Sequence, residues 1–168
     1  MKQIILPIIG VIIFIILVGL LTQKVQNGEL SFPIKNSAET SSKSEVKING
    51  ITIPVEVAKT DVQRRNGLSN RDNLPEGEGM FFEFVQKDVK PLFWMKDMRF
   101  AIDILWINDN KIVQIDKNVQ LPETGTTDDK LILYIPNQPI DYVLEVTAGF
   151  SDENNIDVGD IVDLPSTW

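Results

Sequence analysis

The chain has 168 residues, 43% of them apolar, and carries a net charge of -8 with a pI near 4.5. That leaves room for one ordinary domain, since domains run to about 100–200 residues, and enough apolar material for a core. Having no cysteine and no histidine, it excludes disulfides, thiolate catalysis, a Ser-His-Asp triad and Cys- or His-ligated metal sites, and its acidic balance argues against nucleic acid and anionic headgroups.

Ile4 to Leu21 is an uncharged, almost wholly apolar run between Lys2 and Lys24. As a helix it spans roughly 27 Å at ~1.5 Å per residue, and adding Gln3, Thr22 and Gln23 brings it to the ~30 Å of a bilayer core. Pro7 lies in the first turns, where its missing N–H does little harm. The competing expectation is a cleaved signal peptide, but cuts after Thr22, Lys24 or Gly28 lack the small-x-small pattern. Residues 1–24 are therefore predicted to be an uncleaved transmembrane anchor. Lys2 and the α-amino group favour a cytoplasmic N-terminus, with Lys24 opposing them, and the acidic remainder is easily tolerated outside. Residues 25–45, with the tract Asn36 to Ser44, show no apolar period. They predict a flexible tether whose ends lie on the order of 25 Å apart.

Residues 46–168 predict a mainly β globular domain: a sandwich or barrel of about seven short strands with one or two short helices. Val46 to Ile53 alternates around Asn49-Gly50, a strong hairpin signal. Val55 to Val57 continues the second strand past Pro54, which predicts an edge or a bulge there. Thr60-Asp61-Val62-Gln63 reads as a capping box, Arg64 and Arg65 suit a last helical turn, and Gly67 suits its end. The glycine-rich stretch Leu74 to Met80 lacks the lysine and spacing of a phosphate loop and reads as a connector into Met80-Phe81-Phe82. Leu92 to Met95 reads as a strand covered on both faces. A hairpin follows over Ile102–Ile107 and Lys111–Ile115, turning at Asn108-Asp109-Asn110. Leu131–Ile135 and Tyr142–Val146 predict two more strands, Ser151 a capped helical turn, and Val158 to Val162 a turn into a last strand.

Asp103 is the most informative single residue. Alternation places Ala101, Asp103, Leu105 and Ile107 on one face and Ile102, Ile104 and Trp106 on the other. Both faces are apolar, so the carboxylate is buried and needs a cation or several N–H donors. Arg71, Lys96 and Arg99 are the candidate cations. An Asp–cation pair of this kind serves either a ligand site or the pinning of two strands. Phe93-Trp94-Met95-Lys96-Asp97 joins aromatics to a charged pair, which suits sugar or small-ligand binding at a strand rim, or simply core packing. The acids Asp152 to Asp157 lack the glycine and final glutamate of an EF-hand and read as a solvated loop.

Arg65-x-Gly67-Leu68-x-x-Arg71-x-x-Leu74-Pro75-x-Gly77-x-Gly79-Met80-x-Phe82, after Val55 to Ala58, resembles the opening of the family called domain of unknown function 192. Phe93-Trp94-Met95-Lys96-Asp97-Met98, Asp103-Ile104, Tyr142 to Val146, Ala148-Gly149 and Gly159-Asp160 continue the resemblance in order, from about Val46 to Val162. It implies a compact β-rich domain, commonly secreted or membrane-tethered, and no established reaction. The positions it carries over as a candidate ligand site or structural polar cluster are Arg65, Arg71, Trp94, Lys96, Asp97 and Asp103.

The sequence therefore predicts a single-pass membrane protein whose C-terminal domain lies outside the cytoplasm and binds an envelope glycan or a protein partner. No nucleic acid, metal or cofactor is expected. The alternative is an envelope polysaccharide hydrolase or lyase, with Asp97 or Asp103 as acid or base beside Lys96 or Arg71.

Overall fold

A computed structural model describes residues 44–164. The predicted anchor (1–24) and nearly all of the predicted linker (25–45) lie outside the described residues.

Seven strands form one sheet: β1 (Ser44–Ile48), β2 (Ile51–Ala58), β3 (Gly79–Glu83), β4 (Ile102–Asn108), β5 (Lys111–Val119), β6 (Tyr142–Thr147) and β7 (Val162–Asp163), in the order β5-β4-β6-β3-β2-β1-β7. Every pairing is antiparallel except β2 with β3. The sheet curls until its edges nearly meet: Lys111 at the start of β5 bridges Ile161 just before β7. Of the two predicted architectures, this is the barrel.

Local signals act where they were expected. Asn49 and Gly50 both take positive φ, as do Asp109 and Asn110, so each hairpin turns on two left-handed residues. Helix α1 (Asp61–Asn66) carries the capping box: Thr60 Oγ1 accepts from the Gln63 N–H at 3.2 Å, and Gln63 Oε1 accepts from the Thr60 N–H at 2.9 Å. Gly67 closes it at φ 47° and ψ -130°, a conformation that glycine alone adopts readily.

Pro54 marks no bulge, but it stands at a local edge of β2. In the β1–β2 register its nitrogen faces away from β1, and pairing with β3 begins only at Val55, so no ladder bond is lost. Leu92–Met95 and Leu131–Ile135 are not strands. The two runs, flanked by Pro91 and Pro136, cross at the single bridge Phe93–Tyr134 and lie over the sheet's outer face. The strand not foreseen is β3, at the centre of the sheet. Ser151 is not a cap either; it lies inside helix α2 (Phe150–Glu153), whose cap is Gly149.

Alternation along the strands builds two cores. Ile48, Ile53, Phe81, Leu105, Leu144 and Val146 fill the barrel with Phe150 and Ile156. Met80, Phe82, Ile104, Trp106 and Val143 face outwards and are covered by Leu68, Met95 and Ile140 from the long connections. This covered outer face carries the candidate site.

Candidate functional site

Two of the connections that roof the outer face bound the candidate site. One is the β2–β3 crossover, comprising α1 and the turn after it; the other is the Pro91–Met98 segment between β3 and β4. They are hydrogen-bonded to each other: Ser69 Oγ donates to the Lys96 carbonyl at 2.8 Å, and the Asn70 N–H donates to the Asp97 carbonyl at 2.8 Å. The sheet and this roof leave an open cleft of about 280 Å³ between them. Phe82 and Glu145 form part of its lining on the sheet side, with Phe84, Phe93, Trp94 and Met98 along the sides. Asp61, Arg64 and Arg65 face it from α1.

Glu145 is the unusual group. It sits in β6 with Met80 and Ile104 as its neighbours on the flanking strands, on the same face as Phe82 and Val143. The residue is 6% exposed, and no described residue offers its carboxyl a hydrogen bond. Burial pushes its pKa up to about 8, against the opposing pull of the Arg71 guanidinium. At neutral pH the cleft is therefore lined by a neutral carboxylic acid, able to donate one hydrogen bond and accept others.

Arg71 lies behind this acid. Its guanidinium forms a two-pronged pair with Glu56 on β2, at 2.8 and 2.9 Å, which holds Glu56 below its ordinary pKa despite partial burial. Glu56, Met80 and Glu145 are cross-strand neighbours on one face, so an ionised and a neutral carboxyl stand two strands apart.

The six residues predicted from sequence do not form one cluster. Arg65 and Trp94 line the cleft. Lys96 is on the neighbouring turn and its ammonium pairs with Asp128. Asp97 is exposed, at φ 56°, and meets the roof through its carbonyl. Asp103 faces the opposite side of the sheet and has none of the three cations proposed for it. Arg71 holds Glu56, Lys96 holds Asp128, and Arg99 holds Asp72. Its oxygens instead accept the N–H groups of Asn118 at 2.8 Å, Gly149 at 3.2 Å and Ser151 at 2.9 Å. Those bonds tie β4 to the irregular end of β5 and to the start of α2. The residue that sequence reasoning missed is Glu145, although it too is an acid inside a run, Val143 to Val146, that is apolar on both faces.

The model of the family DUF192, described as "Uncharacterized ACR", matches residues 44–164. No curated protein matches the chain. Among solved structures, a protein of unknown function from Novosphingobium aromaticivorans is similar at 25% identity. The match covers 71% of this chain and 83% of that one, with a TM-score of 0.63. A protein from Sinorhizobium meliloti, provisionally described as a transcription regulator, is 27% identical over 72% of this chain and 92% of its own, with a TM-score of 0.63.

Proposed function

Because the chain belongs to the DUF192 family, which is itself uncharacterised, its function has to come from its own chemistry, and we propose a membrane-tethered extracytoplasmic binding module whose ligand seats in the Glu145 cleft. The observation that carries this is the buried carboxyl of Glu145, facing an open, aromatic-sided cleft with no hydrogen-bond partner among the described residues. A ligand that hydrogen-bonds this carboxyl takes the place of solvent in the cleft, a net gain of about 0.5–1.5 kcal/mol per hydrogen bond. The ligand belongs to the cell envelope, as a glycan or part of a protein, in keeping with the predicted anchor. A net charge of -8 does not suit nucleic acid.

The test is a thermal-shift panel of envelope sugars, peptidoglycan fragments and small organic ions on the full chain in nonionic detergent. A ligand at a hundred times its dissociation constant stabilises by about 2.7 kcal/mol, enough to raise the melting point by several degrees in a domain of this size. The expected result is a shift that disappears in Trp94→Ala. A flat panel, or a shift retained in folded Trp94→Ala and Glu145→Leu variants, removes the cleft as the binding site.

One observation favours catalysis as a second reading. A general acid must hold its proton near the working pH, and Glu145 does so in a cleft that Asp61 also lines. An envelope polysaccharide hydrolase or lyase built on this fold would use Glu145 as the acid, rather than Asp97 or Asp103. Glycan turnover lost in Glu145→Gln with the fold retained would establish it.

A further inference from the structure

We propose that the ligand of this cleft is an organic anion, its carboxylate or phosphate head held at the mouth by Arg65 and its apolar body lying against Phe84, Phe93 and Trp94. The inference rests on the cleft being a ligand site and adds the charge of what it takes. The charged side chains facing the cleft are Asp61, Arg64, Arg65 and Glu145. Arg64 is already spent: it pairs with Asp61 at 2.5 Å, donates to the Lys59 and Glu83 carbonyls, and stacks 5.6 Å from the centre of the Phe84 ring. Glu145 is neutral through burial. Arg65 remains, with no ion pair or hydrogen bond to any described residue. The cleft therefore carries one uncompensated positive charge in a chain whose net charge is -8.

A cationic ligand fits this arrangement poorly. Aromatic walls attract an ammonium through their ring faces, but the carboxyl adds an ion pair only when it is ionised, so a neutral Glu145 gives a cation no counter-charge. The cation would also face Arg65 and compete with Arg64 for the Phe84 face. An anion meets the opposite situation. Guanidinium binds carboxylate and phosphate in two-pronged fashion, and a nearby anion strengthens the hold of Glu145 on its proton, keeping that group a donor. The volume of about 280 Å³ lies at the small end of ligand pockets, which run to about 300–1,000 Å³. It suits a single ring or a short chain bearing the acid.

The test uses the full chain in nonionic detergent and ligand-observed NMR with four probes sharing one ring: phenylacetate, phenylphosphonate, benzyl alcohol and benzyltrimethylammonium. The expected result is that at least one anion binds about tenfold tighter than the alcohol, that the cation binds more weakly than either, and that Arg65→Gln reduces the anion to the level of the alcohol. Comparing the two anions separates a carboxylate from a phosphate. Anion affinity unchanged in Arg65→Gln, or an alcohol or cation binding as tightly as the anions, overturns the anion while leaving the cleft as a ligand site. Silence from all four probes overturns it too, and the cleft itself then stands or falls with the envelope panel and its variants.

Discussion

Two acids stand on adjacent strands of one sheet, point to opposite faces and meet opposite fates. Asp103 spends its oxygens on three backbone N–H groups and acts as a tie between elements. Glu145 has no such donors and answers burial by keeping a proton. The charge that acts on it is Arg71, which is paired with Glu56; Asp61, Arg64 and Arg65 line the same cleft. A sign follows for stability. Between the unfolded carboxyl value of about 4.3 and the folded value of about 8, the native state binds a proton that the unfolded chain has released. Stability therefore falls as pH rises through that window, by up to about 1.4 kcal/mol per pH unit from this group, and levels off above it. Glu56 acts in a different window: its depressed value gives stability that is present above the ordinary carboxyl range and lost as pH falls through it. Glu145→Gln is thus expected to melt higher than the parent at pH 8 and together with it near pH 4.5. Melting curves of the two proteins that run parallel from pH 5 to 8 would refute a buried neutral Glu145. Both acids were equally open to sequence reasoning, since each interrupts a run that is apolar on both faces. The alternation that buried Asp103 applies unchanged to Glu145.

At the scale of elements, what the sequence made legible was local. Asn49-Gly50 and Asp109-Asn110 turn their hairpins, and Thr60 with Gln63 starts α1, because each signal is satisfied within a few residues. What was not legible depended on distant partners. Leu92–Met95 and Leu131–Ile135 have the composition of strands, yet each has only the other to pair with, at one bridge. Met80-Phe81-Phe82 becomes a central strand because β2 and β6 flank it. Gly79 shows the same dependence. Its neighbourhood suggests a turn, but a Cβ there would lie 2.9 Å from both the Glu145 carbonyl and Leu144 Cδ1. The glycine is required where β3 meets β6 on the barrel's inner face. Gly79→Ala must push those strands apart at a cost of about 1–3 kcal/mol. The expected outcome is a lower urea midpoint with an unchanged slope; an unchanged midpoint would show that the ladder yields freely.

For the whole molecule, the described unit contains both of its cores between residues 44 and 164, and the predicted tether joins it at β1. That strand is paired on both sides, with β2 and with β7, so a pull from an anchored N-terminus is shared by two ladders. The sequence before it, from Asn36 to Lys43, has no apolar side chain larger than alanine, and small, polar residues of that kind are typical of the sites that proteases cut. If residues 1–24 span the membrane with the N-terminus inside, protease added to wall-stripped cells should cut between residues 25 and 45. It should release a soluble, folded fragment of the domain's size while cytoplasmic markers stay intact. N-terminal sequencing of the fragment locates the cut. A chain digested only after lysis would place the domain on the cytoplasmic side, and an uncut chain in the soluble fraction would remove the anchor. Either result would also withdraw the envelope as the source of the ligand, leaving the chemistry of the Glu145 cleft to be matched to molecules of another compartment.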